Sequence, residues 1–386
     1  MARRLSRSEA RALEHIRFTP GITRHELAAD LGVSVTTVNP IVSRLIDERL
    51  VSEVLPGKGE RTGAGRPRAG LRASGEAKTV VAVLWSHGVL DRAVATFDNQ
   101  IVWRRRTPVA GHPAADQLEA AAREALDAAR AAGPYAPPER VVLALPAPYE
   151  AGVGVGRGAS VAASGAFASW FADDPQVLLS TELGIPVIVE NDANLGALGE
   201  AAAGAARDEP AAIFVKLSGH GIGAGLTING TLFPGAHGFA GEIAHLRVDD
   251  DSRVICACGS RGCLEERIGP NMLRQLHANY GPEITYEDLL SMVELGTPGP
   301  TRLLQDAGRV AGRALADICT FFNPSVLVLD AGSAAATRVL ILGVREQIEQ
   351  STPPFSRREL RIVPGDLKEK AAIYGAVRIA RDAAVA

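Results

Sequence analysis

The sequence predicts an α/β protein in two parts: a helix-turn-helix domain over residues 1–55, joined by a basic stretch over 56–77 to an α/β domain over 78–386. Three observations predict it. The first 50 residues place apolar side chains at helical spacing between proline and glycine breaks. Beyond residue 78, short β-branched runs alternate with helical spacers, the pattern of an α/β domain. Three of the four cysteines fall in the eight residues Cys256–Cys263, eleven positions after His245, which places a metal-braced segment inside that domain.

Residues 6–18 form the first expected helix, with Ala12, Leu13 and Ile16 inward and a stop at Thr19-Pro20-Gly21. Thr23 and Glu26 make a capping box for the second, which buries Leu27 and Ala28 before Leu31-Gly32 turns the chain. A third helix follows from Ser34, burying Val38, Val42, Leu45 and Ile46 and exposing Thr36, Thr37, Asn39, Ser43 and Arg44. Pro40 requires that this helix either start late, with Asn39 as N-cap, or kink, because an interior proline costs ~3 kcal/mol. In a helix-turn-helix the third helix enters the major groove of double-stranded DNA, so the short polar residues are expected near base edges and Arg44 free for a phosphate. A small helical protein-interaction module has the same pattern.

A strand over Leu50–Leu55 and the basic, glycine-rich loop Pro56–Arg72 resemble a wing and linker. Within the loop, Gly65-Arg66-Pro67-Arg68 is thin enough to bring Arg66 into the minor groove, with Arg68 counted beside it among the DNA-binding residues. A flexible basic linker is the plainer alternative. Residues 1–72 carry 13 Lys+Arg against 8 Asp+Glu, a net +5, whereas the whole chain is −3. The basic end is therefore the candidate polyanion binder.

In the α/β domain, strands are expected at Thr79–Leu84, Val94–Phe97, Arg140–Leu145, Pro186–Glu190, Ala212–Leu217 and Ser325–Leu329. The fourth ends in Asn191-Asp192-Ala193-Asn194, ahead of a helix reaching Glu200. One such residue suffices as a helix cap. Three at the carboxyl end of a strand, where α/β folds place ligands, point to Asn191 and Asp192 as binders of sugar hydroxyls. The stretch Lys216–Gly225 reads as a glycine-rich turn able to bring backbone amides to a phosphate, or as a tight turn with no ligand.

His245, Cys256, Cys258 and Cys263 form the ligand set of one closed, structural Zn2+ site, with no position left for water. The alternatives are chance clustering of buried cysteines and a disulfide, which a cytosolic chain rarely keeps. Glu242 and Glu265 flank the site without being needed to close it, and are read as ligand-binding groups. Cys319 lies in an apolar helical pattern as a lone buried thiol with no assigned role.

Glu190-Asn191-Asp192-Ala193-Asn194, Gly221-Ile-Gly-Ala-Gly225, Gly235-Ala-His-Gly-Phe-Ala-Gly-Glu-Ile-Ala-His245 and the cysteine cluster together resemble the ROK family of bacterial repressors and sugar kinases, over nearly the whole chain. The resemblance implies a two-lobed, actin-like (ribonuclease H-like) domain behind the winged helix-turn-helix of the repressor branch. It also implies sugar contacts from Asn191, Asp192, Glu242, His245 and Glu265, with His245 shared between sugar and zinc. Family kinases end the first strand of this domain in an Asp-x-Gly-x-Thr-like loop that holds phosphates and magnesium. Here Leu84-Trp85-Ser86-His87-Gly88 lacks both the aspartate and the glycine pair. Asp330-Ala331-Gly332 also lacks the glycine pair placed against the nucleotide, Ala244 stands in place of a usual glycine, and Ala163–Phe167 departs from a loop that supplies another sugar contact. No catalytic activity is expected.

At 386 residues and 46% hydrophobic the chain can hold two or three cores. It contains no apolar run of ~18 residues and begins without a secretory signal, so no membrane association and a cytoplasmic location are expected. The expected function is a sugar-responsive, DNA-binding regulator of carbohydrate metabolism, read as a repressor and acting as a homodimer or homotetramer on paired half-sites. A sugar kinase carrying a DNA-binding appendage and a DNA-binding protein controlled by a protein partner are the rivals.

Overall fold

The computed structural model describes residues 6–19, 21–48, 50–54, 69–73, 78–86, 88–109, 115–132, 135–155, 174–219 and 221–384. The chain forms two compact units divided between Val80 and Val81, with Val94–Trp103 and Leu126–Glu139 grouped with the first.

The amino-terminal elements run α1 (Arg7–Phe18), β1 (Ile22–Thr23), α2 (Arg24–Asp30), α3 (Val35–Asp47), β2 (Val51–Val54) and β3 (Gly70–Ala73). The strands form an antiparallel sheet in the order β1-β3-β2. This is the element order of a winged helix-turn-helix. Ser6 opens α1 through a reciprocal box with Glu9, and Thr23 opens α2 through one with Glu26, whose Oε2 accepts from Thr23 N at 2.8 Å. Ala12, Leu13, Ile16, Leu27, Val38, Val42, Leu45, Val51 and Leu71 close the core of this unit.

Pro40 does not delay α3. Ser34 is the N-cap, its hydroxyl accepting from Thr37 N at 3.2 Å, and the helix continues through Pro40, so Asn39 is not a cap. Burial of Val38, Val42 and Leu45 at about 1.5–3 kcal/mol each outweighs one lost hydrogen bond. The segment expected to remain loop as far as Arg72 ends instead in β3, whose Leu71 enters the core. Arg66, Arg68 and the loop Ala163–Phe167 lie outside the described residues.

The α/β part continues with β4 (Thr79–Ser86), β5 (Val89–Thr96), β6 (Ile101–Pro108), α4 (Ala115–Ala131), β7 (Val141–Leu145), the short hairpin β8 (Tyr149–Glu150) and β9 (Gly154–Val155), α5 (Pro175–Leu183) and β10 (Val187–Asn191). Its first sheet has the order β10-β7-β4-β5-β6, with β10, β7 and β4 parallel. Next come α6 (Asp192–Ala203), β11 (Ala211–Ser218), β12 (Gly221–Ile228), β13 (Thr231–Leu232), α7 (Leu264–Arg267), α8 (Gly269–Tyr280), α9 (Tyr286–Glu294) and α10 (Pro298–Phe322). The chain closes with β14 (Val326–Asp330), α11 (Ala334–Ser351), α12 (Pro354–Arg357), β15 (Arg361–Pro364) and α13 (Ala371–Ala383). The second sheet has the order β13-β12-β11-β14-β15, and β14 lies parallel to both β11 and β15.

All six expected strands occur, five of them within two residues of the expected bounds, while the one expected at Val94–Phe97 starts five residues earlier as β5, and α6 packs against both α13 and the second sheet. Among the described residues no helix is long and apolar enough to cross a membrane.

Candidate functional site

The side chains of interest come from the carboxyl ends of strands in both sheets. In the first, β10 ends at Asn191, and α6 starts at Asp192. Asn191 does the structural work that its position allows: Oδ1 accepts from Ala193 N at 2.8 Å and Asn194 N at 3.1 Å, while Nδ2 donates to Ala147 O at 3.2 Å. One amide proton remains for a ligand. Glu190 is tied to Asn191 N at 2.8 Å and to Asn194 Nδ2 at 2.9 Å, and burial pushes its carboxyl up.

Asp192 does not stand alone. Its Oδ2 accepts from Lys216 Nζ at 2.6 Å, and the same ammonium donates to Ser86 Oγ at 3.2 Å. Lys216 comes from β11, directly across the parallel register from Asp330. Burial opposes its charge, but Asp192 and then Asp330 outweigh that, and the ammonium is held above its usual range. Sequence reasoning gave Lys216 no role. The signal was a lysine inside the otherwise apolar strand Ala211–Leu217, since lysine is almost never buried without a partner.

Within the stretch Lys216–Gly225 the strands leave only residues 219–220 for a tight turn, and Gly221–Gly225 is strand. It belongs to β12, paired residue by residue with β11 from Ser218↔Gly221 to Ala211↔Ile228. A Cβ at Gly223 would lie 3.2 Å from Ala193 Cβ, and one at Gly225 2.7 Å from Ala197 Cβ. The glycines let the sheet approach α6, which positions Asp192 beside Lys216.

Glu242 precedes a short 3-10 helix over Ile243–His245, which His245 ends, and Glu265 lies on α7 just after Cys263. Burial first, then the charges of Glu265 and Asp192, push the Glu242 carboxyl up to about 7. Burial also raises the Glu265 carboxyl and lowers His245. The charges of Glu265 and Asp192 both reach the Glu242 carboxyl, so the three lie in one neighbourhood, with hydrogen-bond acceptors suited to a polyol.

The four expected metal ligands converge. Cys256 Sγ is 3.7 Å from His245 Nδ1, Cys258 Sγ is 3.5 Å from Cys263 Sγ, and all four ligand atoms lie within 4.8 Å of one another. A tetrahedral zinc with bonds of about 2.3 Å to sulfur needs ligand separations of about 3.8 Å, so the donor set and spacing fit that ion. The backbone prepares this arrangement: Cys256 N donates to Ser260 O and Gly259 N to Cys256 O, both at 2.8 Å, and an isolated bridge pairs Arg247 with Cys263. Nδ1 of His245 faces the thiols, which leaves Nε2 for other partners. Glu265 Oε2 sits 3.8 Å from Cys256 Sγ and 4.0 Å from His245 Nδ1, so it stands beside the metal cluster as well as the carboxylate cluster. Cys319 is fully buried in α10, its thiol pushed up to about 12 by burial.

The sequence model of the ROK family matches residues 98–383. The chain belongs to the ROK family. A Xylose repressor of Bacillus spizizenii is 28% identical over 207 residues, 54% of this chain and 53% of that protein, so the match spans about half the length of that relative. A Glucokinase of Thermotoga maritima is 30% identical over 258 residues, 61% of this chain and 80% of that one. Among solved structures, a ROK family transcriptional regulator, described as a homolog of the E. coli MLC protein, superposes with a TM-score of 0.68 at 22% identity. That likeness covers 97% of this chain and 95% of the other, and shows the fold. The ROK domain thus has the two-lobed, actin-like α/β architecture, here with a winged helix-turn-helix ahead of it.

On α3, Thr36, Thr37, Asn39, Ser43 and Arg44 are all exposed. Thr36 and Thr37 hydroxyls lie 2.6 and 2.8 Å from Ser34 Oγ. Arg44 is not free as expected: its guanidinium lies 3.4 Å from Glu9 Oε1, because the α1 cap carboxylate faces α3. Arg24, which sequence reasoning passed over, pairs with Glu53 at 2.8 Å and donates to Asn39 Oδ1 at 3.4 Å.

Proposed function

We propose that this protein is a sugar-responsive, DNA-binding transcriptional regulator, a repressor, whose ROK domain receives its ligand without transforming it. The observation that carries the reading is the ion pair between Asp192 and Lys216. Asp192 stands where ROK kinases keep the base that activates the sugar hydroxyl. One oxygen of that carboxylate is already engaged by an ammonium at 2.6 Å, whereas a general base has to be within reach of the proton it abstracts. Ser86, in the segment where the kinases carry their phosphate-binding aspartate, supplies a hydroxyl to that same ammonium and no charge for a metal.

In this reading, Asn191, Asp192, Glu242, His245 and Glu265 hold the sugar. His245, Cys256, Cys258 and Cys263 hold zinc, which when bound fixes the segment that carries His245 and Glu265. His245 uses Nδ1 for the metal side and Nε2 for a sugar hydroxyl. The winged helix, taken as residues 1–55 with the linker 56–77 and the sensor 78–386, reads operator DNA through Thr36, Thr37, Asn39 and Ser43, with Arg44, Arg66 and Arg68 contributing charge. Two copies or four, in the cytoplasm, match paired half-sites. The Xylose repressor relatives support this reading.

The test is a thermal-shift and calorimetric screen of neutral sugars and sugar phosphates, followed by DNA binding at fixed salt with and without the ligand found. A sugar that raises the melting temperature and changes DNA affinity supports the proposal. No sugar binding at millimolar concentration, or sugar-dependent ATP consumption, defeats it. The kinase alternative draws its support from the Glucokinase relatives and stands or falls on that ATP measurement.

A further inference from the structure

We propose that Lys216 is a positioning residue that transmits occupancy of Asp192 to the first sheet, coupling the ligand cleft to the arrangement of the two five-stranded sheets. The inference rests on the sugar-receptor reading above. Lys216 belongs to β11 in the second sheet, yet its ammonium is bonded to two groups set by the first: Ser86 at the end of β4, at 3.2 Å, and Asp192 immediately after β10, at 2.6 Å. Asp330, its register partner on β14, adds a second carboxylate on its own sheet. One cation therefore ties three strand ends from two sheets.

The coupling follows from what each group can accept. A carboxylate accepts at both oxygens, and Lys216 uses Oδ2 of Asp192, which leaves Oδ1 for a ligand hydroxyl. A hydroxyl bound at Oδ1 fixes the plane of the carboxylate, and with it the direction of the ammonium held by Oδ2. The third ammonium contact, to Ser86, is made only when the end of β4 lies within reach. A half-buried ammonium that loses a partner is left with part of its desolvation cost uncompensated, so the sheet arrangement that keeps Ser86 in reach is favoured most when Asp192 is fixed. That difference between arrangements is what a ligand needs to shift their populations.

The experiment uses the full chain, loaded with zinc, and a panel of neutral sugars led by D-xylose and D-glucose. Calorimetry measures affinity, and small-angle scattering measures the change in radius of gyration at saturating sugar. Wild type binds a panel sugar and changes its radius of gyration. Lys216→Met binds that sugar on the order of tenfold more weakly and shows no change when saturated, while Lys216→Arg restores the change. Ser86→Ala keeps the Asp192 pair, holds affinity within about threefold, and also loses the change. It carries the test on its own if Lys216→Met does not fold. Lys216→Met or Ser86→Ala responding as fully as wild type overturns the role of Lys216, as does a wild type that binds sugar with no change in scattering. A wild type that binds no sugar in the panel overturns the receptor reading itself.

Discussion

Replacing Asp192 with alanine tests the pair at the centre of the site. The Asp192–Lys216 bond is 2.6 Å long, and the two side chains are 13% and 29% exposed. A charge-assisted hydrogen bond in such a setting contributes about 1.5–3 kcal/mol. Removing one partner of a fully buried pair costs about 3–5 kcal/mol, because the other charge is stranded. Water still reaches part of Lys216, and Asp330 remains beside it, so we expect Asp192→Ala to lose about 2–3 kcal/mol, or roughly 3–5 °C in melting temperature. Lys216→Met alone should cost less, since a methionine stem keeps the packing, and the double variant should recover at least about 1 kcal/mol relative to the sum of the singles. The pH dependence gives a second reading. In wild type the ammonium sits above its usual range, so its contribution is complete at neutral pH and is lost only as pH rises beyond the ordinary lysine range. Without Asp192 the burial that opposes the charge is offset less, the folded chain binds its proton less tightly, and the deficit should shrink as pH rises toward 10. Urea unfolding of the four proteins at pH 7 and 9.5 measures both quantities. Strict additivity, or a cost for Asp192→Ala below about 0.5 kcal/mol, would refute the reasoning.

Cys263 is fully buried within the ligand cluster, so Cys263→Ser should reduce bound zinc from one per chain to a small fraction by metal analysis, with a melting temperature below that of wild type; equal zinc content would remove Cys263 from the ligand set. Gly262 has a φ of +74°, and a Cβ there would lie 1.8 Å from Asp249 O, so Gly262→Ala should destabilise the metal segment by about 2–4 kcal/mol in denaturant unfolding. Pro40→Ala restores the hydrogen bond that an unbroken α3 lacks and should stabilise the amino-terminal unit by about 2 kcal/mol. A loss of stability there would mean that the helix does not run through residue 40.

What the sequence made legible is what local chemistry determines. The capping box at Thr23-Glu26 and the six apolar strands are local patterns, and the structure has them at or near where the patterns fall. The cluster that could hold a metal was legible because Cys256, Cys258 and Cys263 are close in sequence and histidine and thiolate have few other reasons to recur at that spacing. The strands β6, β12 and β15 were not. β6 is the edge of its sheet and exposes Arg105 and Arg106, so no apolar alternation marks it, while β12 alternates apolar residues with glycines whose purpose is contact with α6. At Pro40 the sequence left a late start and a kink both open, and only the core beneath Val38, Val42 and Leu45 excludes the late start. Lys216 stood out locally as a lysine in an apolar strand, but its partners did not: Ser86 and Asp192 are 130 and 24 residues away, and nothing local in the sequence names them.

The same ammonium bears on why one scaffold would serve as receptor rather than kinase. Phosphoryl transfer depends on positioning and on cations placed at the transferring group, where charge develops. Here the cation nearest the candidate base is covalently part of the chain and already engaged by Asp192 and Ser86, with Asp330 beside it. It stabilises the resting site, and a group satisfied in the resting state has little left to give a transition state. A carboxylate with Oδ2 held in this way still accepts a hydrogen bond from a hydroxyl at Oδ1, which is what recognition of a sugar needs. With ATP, magnesium and a bound sugar, phosphorus NMR should therefore detect no sugar phosphate. Lys216→Met, which frees Asp192, should gain none either, because Ser86 still offers no carboxylate to hold the metal. Phosphate ester formed by the variant alone would place the whole barrier to catalysis in Lys216, and phosphate ester formed by wild type would return the protein to the kinase branch.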